Sequence, residues 1–293
     1  MLSSEGIYTL IKSYQSQADL LLENYVSAES FVIDTSIIVG IFVCKTVYDL
    51  SRLMSAGYFK SYLNLTKSQQ IEWSNRAIST FHAVYIATVS LYLLFWSDLY
   101  SDDLHHGPIT LRSSTLSVFA LGVSVGYFLS DFSMIIWFYP SLGGMEYVIH
   151  HILSLVGVMY TMLTGEGQLY TYMVLVSEAT TPWINLRWYL DAAGMKRSSA
   201  YIVNGVVIFI AWLVARILWF VYLFYHVYLH FDQFPNRVVT FHGTTGQANA
   251  HNWNYLGASS SRAAFCHEFA LVSENIQGIA EDVGQTGVSV YSR

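Results

Sequence analysis

Residues 115–138 read TLSVFALGVSVGYFLSDFSMIIWF, and Asp131 is the one charged residue among them. A helix of about 20 mostly apolar residues is long enough to span the hydrocarbon core of a bilayer. A polar residue that interrupts such a stretch is expensive in lipid and normally faces other helices. The stretch therefore predicts a transmembrane helix with one buried carboxyl group.

Five further stretches share this apolar character. They are residues 31–52, 75–97, 146–163, 169–189 and 201–230. The first carries Lys45 and Asp49, which can pair across one helical turn. Charged residues make up 12% of the chain, whereas soluble proteins contain about 25%. We therefore predict an all-α polytopic transmembrane bundle of about six spans.

The charge and the cysteine content exclude several classes of function. The formal net charge of −6 argues against a nucleic-acid-binding protein, which would present a basic face. Cys44 and Cys266 are the only cysteines, so no disulfide framework or cysteine-based metal site is expected. One adjacent pair, His150-His151, falls short of the repeated histidine clusters of membrane di-iron enzymes. We predict neither a metal nor a cofactor.

Basic residues indicate the orientation of the chain. They flank the loops at 53–74 and 190–200, whereas the loop after residue 97 carries Asp98, Asp102 and Asp103. Because cytosolic loops of membrane proteins are enriched in Lys and Arg, we place the first two loops in the cytosol. The N-terminus is then expected outside or in a lumen.

The pattern divides the chain into four parts. Residues 1–30 form an amphipathic segment expected at the membrane interface, and residues 31–67 a first transmembrane helix and cytosolic loop. Residues 68–233 contain the remaining spans. Residues 234–293 are rich in Gly, Ser, Asn and Gln and predict a polar, disordered tail.

Seven polar residues within the spans are candidates for a binding pocket: His82, Asp131, His150, His151, Glu178, Asn185 and Arg216. A charged residue at the centre of a span costs about 2.5–3.5 kcal/mol, so it normally has a partner. With a rise of about 1.5 Å per residue, four helices place polar groups in the cytosolic half of the membrane. We predict a polar pocket there, with Arg216 neutralised by Glu178 or Asp131.

A structural role is the alternative for the same residues. Polar side chains in membrane bundles often form hydrogen bonds between helices, worth about 0.6–2 kcal/mol each. Adjacent residues on a helix project about 100° apart, so one imidazole of the His150-His151 pair can face a ligand while the other contacts a neighbour. For this pair we favour a functional role, with His150, His151 and Glu178 as the candidates for catalysis.

Four motifs resemble the TLC domain, which ceramide synthases share with the translocating-chain-associating membrane protein and the TLC domain-containing proteins. The motifs are Trp73-x2-Arg76-x2-Ser79-x2-His82, Gly126-Tyr127-x3-Asp131, Gly143-Gly144-Met145-Glu146-Tyr147-x2-His150-His151 and Glu178-x2-Thr181-Pro182-x2-Asn185-x-Arg187. The resemblance is greatest to the plant-type TLC domain-containing proteins similar to member 4. It implies a helical TLC bundle in the endoplasmic reticulum or a related endomembrane.

The resemblance also bears on activity. In ceramide synthases the paired histidines and nearby aspartates support acyl transfer from acyl-CoA to a sphingoid base. His150 and His151 match the paired histidines, whereas the downstream His-Asp-x2-Asp of those enzymes corresponds to Ser177-Glu178-x2-Thr181. The family implies one more membrane helix after residue 233, and no such apolar stretch occurs in residues 234–293. We therefore expect a TLC domain that is truncated at its C-terminal end.

Three functions remain open from the sequence. The first is a non-enzymatic protein that binds, senses or handles membrane lipids, with lipids as its partners. The second is an acyltransferase with acyl-CoA as a substrate and His150 or His151 as the base. The third is a cargo or trafficking receptor in endomembranes.

Overall fold

All regular structure in the described part of the chain is helical. The computed structural model describes residues 28–101 and 107–231, and the side chains of residues 28–30 are not described within that range. The chain divides into two compact units, of which the first ends at Gly194 and the second begins at Met195. The predicted all-α class is confirmed. The interfacial segment predicted for residues 1–30 and the tail predicted for 234–293 lie almost wholly or wholly outside the described residues.

The first unit contains seven α-helices joined by short loops and 3₁₀ turns. The helices are α1 (Ala28–Tyr58), α2 (Lys60–Leu63), α3 (Lys67–Phe95), α4 (Thr115–Trp137), α5 (Met145–Thr164), α6 (Gln168–Leu175) and α7 (Thr181–Ala192). The 3₁₀ segments are Asp98–Tyr100, Ile109–Leu111 and Val176–Thr180. In the second unit one continuous helical rod comprises α8 (Ser199–Trp212), a π-helical segment (Leu213–Leu218) and α9 (Trp219–Leu229).

Five helices in the described residues are long and apolar enough to cross a membrane. They are Phe31–Tyr58, Lys67–Phe95, Thr115–Trp137, Met145–Thr164 and Ser199–Leu229. Large apolar side chains such as Phe42, Ile136 and Val156 are exposed on the outward faces of the first unit. Such surfaces are unfavourable in water and match the solvent that lipid tails provide.

Two predicted span ends differ from the helices that form. Helix α1 continues to Tyr58 instead of residue 52, and α3 begins at Lys67 instead of residue 75. Hydropathy marks the part of a helix that lies in lipid, whereas the helix ends where its backbone is capped. Thr66 accepts a hydrogen bond from the Gln69 amide and Gln69 accepts one in return, so a capping box fixes the start of α3.

The span predicted at 169–189 is interrupted. Helices α6 and α7 are joined by the 3₁₀ segment Val176–Thr180, and Pro182 lies in the first turn of α7. Proline is tolerated there because the first-turn amides have no helical partner. Proline has no amide proton, so a regular α-helix would leave the Glu178 carbonyl without a donor, but this carbonyl accepts the Thr181 amide in the tighter 3₁₀ pattern. The interruption therefore leaves that carbonyl hydrogen bonded.

Hydrogen bonds show that this interrupted segment still runs the full height of the first unit. Near its start, the Gln168 side chain accepts from the Ser117 hydroxyl at the beginning of α4, at 2.7 Å. Near its end, the Asn185 amide donates to the Arg76 carbonyl close to the beginning of α3, at 3.1 Å. Because α3 and α4 run in opposite directions, these contacts lie at opposite ends of the bundle.

Small residues bring α1 and α4 into backbone contact. Ser36 and Gly40 on α1 face Gly122 and Gly126 on α4. A Cβ atom added to Gly126 would lie 2.4 Å from the Ile37 carbonyl oxygen. This close approach is typical of membrane helix pairs, where small residues at four-residue spacing allow backbones to meet. The contact positions the buried face of α4, which carries Asp131.

Candidate functional site

A buried histidine–aspartate pair joins α4 to α5. The Nε2 atom of His151 lies 2.6 Å from Oδ2 of Asp131, and its Nδ1 atom lies 2.9 Å from the Tyr147 carbonyl oxygen. The exposed fractions are 8% for His151 and 3% for Asp131. Both helices thus turn their polar residue towards the other, as the cost of a lone charge in lipid requires.

The backbone determines how this pair holds its protons. A carbonyl oxygen can only accept, so Nδ1 of His151 is the donor to Tyr147. One proton then lies between Nε2 and the Asp131 carboxyl group, on either atom. The pair carries no net charge in either case, so it buries no uncompensated charge. Both ring nitrogens of His151 are engaged, so neither is open to a substrate.

Tyr127 and His82 extend the cluster across α4 to α3. The Tyr127 hydroxyl donates to Oδ2 of Asp131 at 3.3 Å, and its ring stacks on His82 with centroids 3.8 Å apart. His82 Nε2 lies 3.1 Å from the Ser124 hydroxyl oxygen. His82 is 3% exposed. We call these four residues, His82, Tyr127, Asp131 and His151, the imidazole cluster.

Two half-buried residues lie at the edge of the imidazole cluster. The ring of His150 lies edge-on to that of His151, with centroids 5.5 Å apart. Glu178, in the 3₁₀ segment, accepts a hydrogen bond from the Thr181 hydroxyl at 2.8 Å. Glu178 lies within electrostatic range of His151 and Tyr127. His150 and Glu178 are both partly accessible.

Asn185 belongs to a different network. Its amide nitrogen donates to Ser79 and Thr80 at 2.7 and 2.9 Å, and its oxygen accepts from the Arg76 guanidinium at 3.0 Å. Arg76 also forms an ion pair with Glu72 at 2.8 Å. These bonds connect α7 to α3. The pocket role predicted for Asn185 stays a prediction, and its hydrogen-bonding groups are engaged with α3.

Arg216 lies in the second unit, within the π-helical segment. Its guanidinium lies over the Trp212 ring, 4.7 Å from the centroid. Such a cation–π contact stabilises a charge away from water. The predicted pairing of Arg216 with Glu178 or Asp131 joins residues of two units and stays a prediction.

Two residues of the site were not predicted from the sequence. Ser124 and Tyr127 contribute hydrogen bonds to the cluster, and the sequence indicated Tyr127 only as part of a family motif. The stripes Ser36-x3-Gly40-x3-Cys44 and Gly122-x3-Gly126-x3-Ser130 carried a usable signal, because small residues at four-residue spacing mark close helix contacts. Across residues 28–101 and 107–231, no three His, Cys, Asp or Glu side chains are grouped as metal ligands.

Comparison with known proteins identifies relatives. The family model described as the TLC domain matches residues 72–258, more than half of the chain. TLC domain-containing protein 4-B of Xenopus laevis is 32% identical over 172 residues, covering 57% of this chain and 61% of that protein. TLC domain-containing protein 4 of Homo sapiens is 28% identical over 172 residues, covering 58% and 63%.

A more distant relative comes from yeast. Topoisomerase I damage affected protein 4 of Saccharomyces cerevisiae is 28% identical over 155 residues, covering 51% of this chain and 52% of that protein. No solved structure matched the chain. The chain spans about three fifths of the length of the TLC domain-containing protein 4 relatives. The predicted likeness to the plant-type branch stays a prediction. The family match and the apolar helices together show that this chain is a multi-pass membrane protein of the TLC domain family.

Proposed function

We propose that this chain binds and handles a membrane lipid, in the endoplasmic reticulum or a related endomembrane, and thereby contributes to membrane lipid homeostasis. The observation that carries the proposal is the closed geometry of His151. With Nδ1 on the Tyr147 carbonyl and Nε2 on Asp131, this imidazole has no nitrogen free to accept a proton from a substrate. The arrangement suits a fixed polar surface better than a general base.

The location of the cluster supports a lipid as the ligand. His82, Asp131 and His151 are buried between helices whose outward faces are apolar. A ligand that reaches such a site from the side comes from the bilayer. His150 and Glu178 are half-buried at the edge of the cluster and present an imidazole and a carboxyl group to a lipid headgroup.

The experiment is identification of the lipid bound to the purified full-length chain. The protein is extracted in mild detergent, washed, and analysed by mass spectrometry of the lipids that remain. We expect one lipid class to be enriched over the host membrane, and the H150Q/E178Q double variant to retain several-fold less of it. H226Q, which makes the same histidine change in α9, is the control and should retain the wild-type amount. A lipid profile identical to that of the host membrane would remove the proposal.

Acyl transfer from acyl-CoA is the second candidate, because His150 is half-buried beside His151. In that reaction an imidazole nitrogen takes a proton from an amine as the amine attacks the thioester carbonyl. The carbon–sulfur bond then breaks, and coenzyme A leaves as the thiol after receiving that proton. Purified protein is incubated with acyl-CoA and long-chain amines. Turnover that H150A abolishes would favour the enzyme, and no release of thiol by the wild type would exclude it.

A further inference from the structure

A narrow crevice opens between α1 and α3, and the imidazole cluster forms one of its walls. Cys44 of α1, His82 and Tyr85 of α3, and Tyr127 of α4 line it together with apolar side chains and Gly40. The crevice encloses about 20 Å³ of space accessible to a water-sized group. A single water molecule or hydroxyl group needs about 10–15 Å³ by the same measure. The space therefore fits one small polar group.

His82, which lines this space, carries a buried acceptor atom. The Ser124 hydroxyl donates its proton to the Ala120 carbonyl at 3.0 Å, so its oxygen accepts the bond from Nε2 of His82. The proton of the neutral ring is then on Nε2, and Nδ1 is an acceptor. Nδ1 is buried and has no hydrogen-bond partner within residues 28–101 and 107–231. A buried acceptor without a donor costs about 1–3 kcal/mol.

Another polar group that lines the crevice, the Tyr127 hydroxyl, is already engaged. It donates to Oδ2 of Asp131 at 3.3 Å. The remaining wall is largely aliphatic, including Val43 and Val47 of α1 and Val123 of α4. Within the described part of the chain, no Lys, Arg, Asp or Glu lines the crevice. A charged group entering it would lose its hydration without gaining a partner in contact, which is expensive inside a membrane.

The crevice also has a lipid-facing side. Phe81, which lines it, is 52% exposed, and Val43 and Val47 are half-buried. A ligand can thus approach from the hydrocarbon region, where its apolar body remains. Only its donor group has to reach His82.

We propose that this crevice binds the hydroxyl group of a neutral lipid alcohol, with Nδ1 of His82 as the hydrogen-bond acceptor. This inference rests on the lipid-handling function proposed above and specifies the chemistry of the ligand. The lipid carries one O–H donor on an apolar body and no charge at the bound end. Water offers the same donor and is the competing occupant.

The test compares ligands that differ only in the donor. The full-length protein in nanodiscs is crosslinked to a photoreactive analogue of 1-hexadecanol, and unlabelled 1-hexadecanol, hexadecyl methyl ether and hexadecylamine compete. We expect the alcohol to compete about tenfold better than the ether, the equivalent of one hydrogen bond of about 1.4 kcal/mol. The charged amine is expected to compete no better than the ether.

Two variants locate the site. H82F removes the Nδ1 acceptor and supplies no other, so it should bind the alcohol about tenfold more weakly. V43F fills the crevice from α1 and leaves His82 unchanged, and it should also weaken crosslinking. H226F is the matched control and should behave as the wild type. Gel filtration of each variant shows whether it is folded, and V43F keeps the test decisive if H82F does not fold.

The outcomes separate this inference from the lipid-handling function. Equal competition by alcohol and ether, or wild-type binding by both H82F and V43F, would mean that water occupies His82 and would overturn the inference. Absence of crosslinking to the wild type would overturn it as well. In each case, a lipid class enriched with the purified protein would leave the broader function standing. A host-like lipid profile together with these results would remove both.

Discussion

At the residue scale, the backbone of α5 determines what His151 can do. Its Nδ1 donates to Tyr147 one turn earlier, so the acidic partner meets Nε2. A catalytic histidine of a Ser-His-Asp triad is held by its carboxylate at Nδ1 and keeps Nε2 for the substrate. Here the second nitrogen is occupied as well. This arrangement favours a binding surface over a proton-transfer site.

The proton shared by His151 and Asp131 predicts that two substitutions of Asp131 will differ in how much they change the unfolding free energy. In D131N the amide can donate to Nε2 of neutral His151, so we expect a change in unfolding free energy within about 1 kcal/mol. In D131L the buried nitrogen loses its partner, which should cost roughly 1–3 kcal/mol. Titration of the purified variants with sodium dodecyl sulfate, followed by tryptophan fluorescence, measures both. Equal destabilisation would show that the carboxylate charge is indispensable.

At the element scale, the α1–α4 contact depends on the absence of side chains. At Gly126 a methyl group would meet the Ile37 carbonyl oxygen at 2.4 Å and the Gly40 Cα at 2.9 Å. Both are backbone atoms, which cannot move aside as the end of a flexible side chain can. The helices would have to separate, and Asp131 on α4 would move with them.

Two glycine substitutions test this contact as a matched pair. G126A should destabilise the protein by about 1–3 kcal/mol, the usual cost of overpacking. G157A, in α5, places its methyl group where no atom lies within 4 Å. It should be neutral or stabilising by about 0.5–1 kcal/mol because alanine favours the helix. The same detergent titration measures both, and a G126A variant as stable as G157A would contradict the close contact.

The sequence was informative about helices and less so about their contacts. Apolar length located the spans of α4 and α5 to within a residue or so, because lipid imposes a minimum length. It missed the ends of α1 and α3, since charged residues continue a helix beyond the bilayer. Depth along the helices placed His82, Asp131 and His151 at similar levels, and the three lie together in the imidazole cluster. Depth placed Asn185 with them because it does not specify the rotation of one helix against another, and Asn185 contacts α3 instead.

At the scale of the whole molecule, the interrupted segment α6–α7 determines on which side the following loop lies. Its hydrogen bonds to both ends of the bundle indicate a full crossing. If the basic loops face the cytosol, as their charge predicts, we expect residues 193–198 in the cytosol and residues 107–113 in the lumen. Had the segment turned back halfway, both loops would lie on the lumenal side.

Accessibility of single cysteines checks this arrangement in sealed microsomes. Both native cysteines are replaced by serine, and K196C and S113C are introduced separately. A membrane-impermeant maleimide should label K196C directly, and S113C only after the membrane is permeabilised. Labelling of both sites from the same side would disprove the crossing. Labelling of S113C alone in sealed vesicles would reverse the orientation.

The 3₁₀ segment Val176–Thr180 sets the rotational phase between α6 and α7. An α-helix advances about 100° per residue and a 3₁₀-helix about 120°. In an uninterrupted α-helix Gln168 and Asn185 would point about 100° apart, whereas the tighter turns return them to roughly the same bearing. Gln168, which bonds to α4, and Asn185, which bonds to α3, can therefore lie on one side of the interrupted segment. A hydrophobicity plot with one fixed period would assign these two residues to different sides.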